Sequence, residues 1–299
     1  MKILLLGEHG QVSRELQLSL RGQDELIVCG RDRLDLSQPE QIRQQVRAVQ
    51  PALIINAAAY TAVDQAESDA QLAFAINATA PGILAEEAAA LGAPLIHYST
   101  DYVFDGRKNT AYAEDDAPKP LGVYGRSKLA GEQAIQAVGG AHLILRTSWV
   151  YSLHGKNFLL TMQRLLQERD SLNVVADQIG APTWAGSIAE ATRQLVEHWR
   201  HGQAGPWGLY HLTALGETSW FGFASAIAEQ LHAQGKATAT LQPIPTSAYP
   251  TPAQRPLNSR LDCTRLQHDW HVQLGDWHSA LLECLHSQHS AEHITPSTE

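Results

Sequence analysis

Short apolar runs recur through the first half of this chain, each followed by helical sequence, and that alternation leaves few folds open. The runs lie at residues 3–6, 26–29, 53–56, 95–99 and 143–147. Strands that alternate with helices in this way make a parallel sheet wrapped on both faces. Ser37, three residues before Glu40, has capping-box spacing, with Pro39 in the first turn, and opens a helix to about Val49. Ala-rich sequence over 66–91 reads as one long or two shorter helices, with Pro81-Gly82 as the break. The expected fold is α/β: a doubly wound, Rossmann-type parallel sheet over residues 1–150.

After Tyr151 the rhythm loosens. Helices near 157–168, 187–198 and 219–234 are separated by loops bearing Gly and Pro. We expect a smaller, substrate-binding lobe built mainly from 151–299, ending in a polar, frayed tail from about Ser287. The run at 208–212 is a candidate to rejoin the sheet, which would make the first domain discontinuous through part of 184–215. With 299 residues at 44% hydrophobic, the chain can bury a core of this size.

Other classes are disfavoured. A net charge of -9 gives no basic footprint for nucleic acid or an anionic membrane, and an anionic ligand would need local cations. The N-terminus turns polar too soon for a signal peptide and no run approaches a membrane span, so the cytoplasm is the expected location. Cys29, Cys263 and Cys284 are widely spaced and read as reduced, buried thiols. His268 and His271, and the set His286, His289 and His293, have spacings that could gather imidazoles, but a solvated polar tail explains the latter and no metal site is assigned.

Gly7-Glu-His-Gly10-Gln11-Val12-Ser13 follows the first strand and opens a helix. Glycines there permit a tight turn and let backbone N–H groups approach a pyrophosphate at a helix N-terminus. The first two glycines are three apart rather than two, and Ser13 stands at the third position. At the tip of the second strand Gly30 and Arg31 come first and the acidic residues Asp32 and Asp35 later. An arginine there can accept a 2′-phosphate, so NADPH is the expected cofactor, with NADH tolerated. The cofactor candidates are Gly7, Gly10, Gln11 and Val12 in the turn, Gly30, Arg31, Asp35 and Leu36 after the second strand, and Ala59, Tyr60 and Thr61 after the third. Tyr98, Tyr124 and Lys128 complete the set.

Thr100 and Asp101 end the fourth strand, and open parallel sheets bind ligands outside the carboxyl ends of their strands. Tyr124 and Lys128 are four apart, so on a helix they share one face. Ketone reduction needs hydride added to carbon and a proton delivered to oxygen. Tyr124 can deliver the proton while Thr100 hydrogen-bonds the same oxygen, and a Lys128 ammonium favours the phenolate left behind. Thr100, Tyr124 and Lys128 are therefore the catalytic candidates. Taken singly, the tyrosine reads equally as a half-buried aromatic and the lysine as a solvated helix cation.

Six further segments carry a resemblance: Asn56 to Asp64, Ser99 to Phe104, Tyr124 to Glu132, Arg146 to Tyr151, Asp177 to Thr183 and Arg255 to Asp262. Through them the chain resembles the extended short-chain dehydrogenase/reductases and, among these, the dTDP-4-dehydrorhamnose reductase family, over nearly its whole length. The resemblance implies NAD(P)H-dependent reduction of the C4 ketone of dTDP-4-dehydro-β-L-rhamnose to dTDP-β-L-rhamnose, the last step in making that sugar donor, used for lipopolysaccharide and O-antigen. It implies Tyr124 as proton donor and Lys128 as a cofactor ligand. Thr100, Asp101 and Trp149 would meet the sugar. Residue chemistry adds Asn157 at a helix start, which reads equally as a thymine or sugar contact and as packing, and Arg255 and Arg260, set in a Pro-rich loop toward the diphosphate or simply surface cations between prolines. Some members pair through Mg2+ held by glutamates. Glu15 is present, but Gly186 falls at the place of the second, which speaks against a metal bridge and for a monomer or weak homodimer. A 4,6-dehydratase would want an Asp-Glu pair after Thr100, whereas Tyr102 follows Asp101. An epimerase and a non-catalytic NADP-binding regulatory subunit of the same superfamily remain as alternatives; an intact Thr100, Tyr124 and Lys128 weigh against the latter.

Overall fold

The five apolar runs form five of the six strands of an all-parallel sheet, because residues apolar on both faces can only be covered from both sides. The computed structural model describes residues 1–22 and 24–292, the side chains of 288–292 excepted. The strands are β1 (Lys2–Leu6), β2 (Glu25–Cys29), β3 (Leu53–Asn56), β4 (Leu95–Thr100), β5 (His142–Thr147) and β6 (Gly208–His211). Their order across the sheet is β6-β5-β4-β3-β1-β2, so the chain reverses direction between β1 and β3. That reversal opens a crevice at the carboxyl ends of those two strands.

Two helical layers close the sheet. On one face α1 (Gln11–Ser19) and α6 (Ala185–Arg200) bury Leu16, Leu20, Ile188 and Leu195 against Ile3, Leu5, Ile55 and Tyr98. On the other α2 (Pro39–Val49), α3 (Ala80–Leu91) and α4 (Val123–Val138) bury Ile42, Val46, Leu84 and Ile135 against Leu4, Leu6, Ile54 and Ile144. The order of the layers follows from the period of two along each strand, which sends alternate residues to opposite helices. Two local expectations are corrected here. Ser37 caps no helix: its N–H and its hydroxyl both donate to Asp35 Oδ1, at 2.9 and 2.8 Å, and Gln38 stands at the N-cap of α2 without a side-chain bond. No break falls at Pro81-Gly82. The helix Ala70–Phe74 runs through one π-helical turn, Ala75–Thr79, straight into α3. Proline cannot donate to the carbonyl four residues back and crowds it, and the widened turn just before Pro81 accommodates this.

A third core belongs to the second half of the chain. It joins α5 (Phe158–Glu168), α7 (Trp220–Ala233) and α8 (Trp277–Glu292) through Leu159, Leu166, Phe223, Ile227, Leu281 and Cys284. Its strands are short: Ser171–Val175 lies parallel to Thr240–Ile244, and the two-residue pairs Ile179–Gly180 with Thr218–Ser219 and Val150–Tyr151 with Thr183–Trp184 stitch the loops. The segment from Ser287 to Glu292, expected to fray, continues α8, and the rest of that tail, His293 included, lies outside the described residues. Cys29 and Cys284 are buried thiols, whereas Cys263 is only half-buried. No described helix is long and apolar enough to cross a membrane.

Candidate active site

The Gly7 turn lies in the crevice where the sheet reverses. Gly7 adopts φ +100°, and a Cβ there would lie 2.9 Å from both Ala57 O and Ala58 N, so only glycine lets β1 and the segment after β3 come this close. Gly10 caps α1 in an extended conformation with no side-chain bond, which leaves the first-turn N–H groups of Gln11, Val12 and Ser13 as donors at a helix N-terminus. At the tip of β2 Gly30 faces the Glu8 side chain and Arg31 is exposed. Asp35 is held below the usual carboxylate range, chiefly by the Ser37 backbone and hydroxyl bonds, while Leu36 packs into the core beneath. Ala59 and Tyr60 are half-buried and Thr61 is exposed.

Asn77, a residue the sequence reading did not single out, fixes that last segment. Its Oδ1 accepts the Tyr60 N–H at 2.8 Å, while its Nδ2 donates to Tyr60 O and to Ser127 Oγ, each at 3.0 Å. Ser127 belongs to α4, so one buried amide ties the third strand's loop to the helix that carries Tyr124 and Lys128.

The start of α4 is set by two contacts. Val123 N–H donates to Glu67 Oε1 at 2.7 Å, a carboxylate cap from a segment far away in the chain. A Cβ on Gly125 would stand 2.1 Å from Tyr102 O, so the helix presses directly on the loop leaving β4. That contact brings Tyr124 against Thr100, whose hydroxyl interacts with the phenol. Burial is the main cause that pushes Tyr124 up to about 12, the Asp101 charge adds to it, and Thr100 opposes it. Thr100 Oγ1 donates to Asp101 Oδ1 at 3.0 Å and accepts the Tyr102 N–H. Asp101 is 2% exposed, its Oδ2 completes no hydrogen bond, and burial pushes its carboxyl up to about 6 against the pull of Ser259 and Thr100.

Lys128 is 1% exposed, and burial brings its ammonium down to about 8 although Glu132 favours the charge. Its Nζ donates to Tyr98 O at 2.6 Å and lies 3.2 Å from His97 Nε2. β4 thus divides by parity. His97 and Ser99 face α4, where Ser99 Oγ donates to Glu132, and Glu132 in turn takes Arg146 Nε at 2.9 Å and Nη2 at 2.6 Å. Tyr98 faces the other way. Its hydroxyl pairs with Thr192 Oγ1 at 2.7 Å in the core under α6, so of the cofactor candidate Tyr98 it is the backbone carbonyl, bonded to Lys128, that faces the site.

Two substrate candidates are also redirected. Asn157 caps α5 through its Oδ1 bond to Leu160 N–H, and its Nδ2 is spent on Gln11 Oε1, Ser152 O and His154 O. It braces the Gly10 turn against the second half, and only the second lone pair of Oδ1 is left for a ligand. Arg260 donates from each of its three nitrogens, to Asn258 Oδ1, Glu217 Oε2 and Asn109 O, which leaves two of its five N–H groups for a ligand. Arg255 differs: it pairs with Asp64 Oδ2 at 2.8 Å yet lies 6.0 Å over the Tyr102 ring, which packs edge-on against Tyr124 at 5.4 Å. Trp149 takes φ +50° and stacks at 3.6 Å on Trp220, whose Nε1 donates to Gln178 Oε1. Trp220 carried no signal in the sequence, and Gln178 only that of its place in the Asp177 to Thr183 segment. Among the described residues no group of three His, Cys, Asp or Glu could hold a metal, and Glu15 lies half-buried on α1 near His154.

The family model for the RmlD substrate binding domain matches residues 1–290. The dTDP-4-dehydrorhamnose reductase of Burkholderia thailandensis is 46% identical over 95% of this chain and 98% of its own length. The chain belongs to the dTDP-4-dehydrorhamnose reductase family. The Escherichia coli K12 member is 45% identical over 93% of this chain and 94% of its own. Among solved structures of the family, the Bacillus anthracis reductase in complex with NADP superposes with a TM-score of 0.88 at 33% identity, covering 96% of this chain and 99% of that one. The family fold is the doubly wound parallel sheet expected from the sequence.

Proposed function

We propose that this protein reduces the C4 ketone of dTDP-4-dehydro-β-L-rhamnose to dTDP-β-L-rhamnose, with NADPH as reductant and NADH tolerated. The meeting of Thr100, Tyr124 and Lys128 at the carboxyl end of β4 carries this reading, and the substrate is taken from the relatives' activity. The fit for a dinucleotide rests on the cradle at Gly7, too narrow for any Cβ, and on the free N–H groups that open α1. A bound nicotinamide supplies the hydride. Arg31, exposed at the tip of β2, would meet a 2′-phosphate, and Lys128 a ribose.

Tyr124 gives its phenolic proton to the oxygen that becomes the alcohol, while Thr100 turns its one hydrogen from Asp101 Oδ1 to that oxygen and holds it in line. A phenol pushed up to about 12 keeps its proton until negative charge develops on the substrate oxygen, so transfer is coupled to reduction. Asp101 and Trp149 border the sugar, and Arg255 is the cation placed to face the diphosphate by exchanging Asp64 for it. The segment 1–150 together with α6 and β6 forms the dinucleotide half, and the remainder shapes the sugar site. The sugar-dependent oxidation of NADPH tests the reading. Tyr124→Phe is expected to lower kcat about a thousandfold with KM for NADPH within a few-fold. A rate equal to wild type in that variant would remove Tyr124 from the role.

A further inference from the structure

Behind Lys128 lie two buried side chains that the reaction scheme leaves unused, Asn56 at the end of β3 and His97 in β4; with the lysine they form a row in which Asn56 and Lys128 are each 1% exposed and His97 0%. Building on the reading of Lys128 above, we propose that His97 is a positioning residue. It fixes where Lys128 Nζ lies and, through the Asn56–His97–Lys128 row, sets whether that nitrogen carries its third hydrogen.

Counting hydrogens makes the case. Asn56 Oδ1 accepts the Ala58 N–H at 3.2 Å, which turns its Nδ2 toward His97 Nδ1 at 3.0 Å. Nδ2 has only hydrogens to offer, so Nδ1 accepts. Burial and the neighbouring lysine hold His97 neutral, and its one proton then resides on Nε2. Nε2–H points at Lys128 Nζ, 3.2 Å away. An amine has a lone pair to accept it and can still donate to Tyr98 O; an ammonium has none. To keep the ammonium, the ring proton must move to Nδ1 and the Asn56 amide must turn over, which strips Ala58 N–H of its acceptor. The row therefore favours the amine, and ligands that engage Lys128 work against it.

The other groups around Nζ are few. Glu132 lies one turn further along α4 and favours the charge, but it is shared with Arg146 from β5 and with Ser99 from β4. Tyr124 lies one turn earlier, facing Thr100 and Asp101, and the Tyr98 carbonyl is neutral.

Two substitutions push the row from opposite ends. His97→Gln can present Oε1 to an ammonium without asking anything of Asn56. Asn56→Asp accepts from Nδ1–H and so moves the ring proton away from Lys128. Lys128 is followed in protein labelled with 13C-lysine, its signal assigned by its loss in Lys128→Arg. The wild-type midpoint is expected near 8, and each variant should raise it by about one pH unit. The alkaline limb of kcat/KM for NADPH, which reports the free enzyme, should follow by the same amount. Midpoints unchanged in both variants would overturn the proposal, and a moved midpoint with a fixed limb would overturn its bearing on the reaction. Absence of reductase activity in the wild type would instead refute the function, while the titration still decides whether His97 governs Lys128.

Discussion

Two buried cations flank the same stretch of α4, and they are treated in opposite ways. Arg146 is met by both oxygens of Glu132, with Ser99 bonded to the same carboxylate and the Phe104 ring 5.0 Å beneath the guanidinium. Lys128, four residues before Glu132, meets only a neutral imidazole and a carbonyl. A buried charge with a full set of partners is a fixed structural pin; one without a carboxylate of its own is left ready to change state. The difference teaches where the fold tolerates instability. The paired cation locks β4, β5 and α4 together, and the unpaired one stands where the chemistry is proposed.

The contrast can be broken at the paired end first. Glu132→Leu leaves Arg146 buried and alone, and should cost about 3–5 kcal/mol in urea denaturation at pH 7. The double variant Glu132→Leu/Arg146→Met should recover most of that loss, and failure to recover would mean that the pair's shape matters more than its charge. At the unpaired end the sign reverses. The Lys128 pKa is depressed in the folded protein, so the lysine destabilises below pH 8, and the cost fades as pH rises from about 8 to the unfolded value. Lys128→Met should therefore stabilise the protein by about 3 kcal/mol at pH 7, by little at pH 10.5, and abolish activity. Equal stabilisation at both pH values would show that packing, not charge, was removed.

Asp101 sharpens the same comparison among the acids. Its folded pKa is raised, so its cost is absent below about pH 4, grows to pH 6 and is complete above. Asp101→Asn should raise stability by about 3 kcal/mol at pH 8 and leave it nearly unchanged at pH 4, checked by denaturation at both. The smallest effect is expected from Trp220→Leu. It removes the stack that braces Trp149, and should raise KM for the sugar nucleotide about threefold with kcat kept.

How much was legible depended on the range of the interaction. The first five strands lie within one residue of their apolar runs, since a short apolar run bounded by polar or turn residues announces itself locally. The two-residue strands of the second half carry no pattern to find. Thr100, Tyr124 and Lys128 were visible because strand-end position and helical spacing are local properties. Glu67, Asn77 and Trp220 were not, because each matters only through a partner distant in the chain. Tyr98 and Arg260 show the converse: each has the right residue type at a plausible place, and a tertiary partner claims the side chain.

The sequence alone determined the parallel sheet, the glycine turn at its first crossover and the tyrosine–lysine face, because all three follow from periodicity and backbone sterics within a few residues. Only the tertiary structure decided which charges are neutralised. Whether Lys128 or Arg146 receives a carboxylate, and whether Asn157 and Arg260 remain free, is set by what β3, β4, β5 and the distant loops bring within 3 Å of each side chain. Burial turns that choice into a difference in protonation.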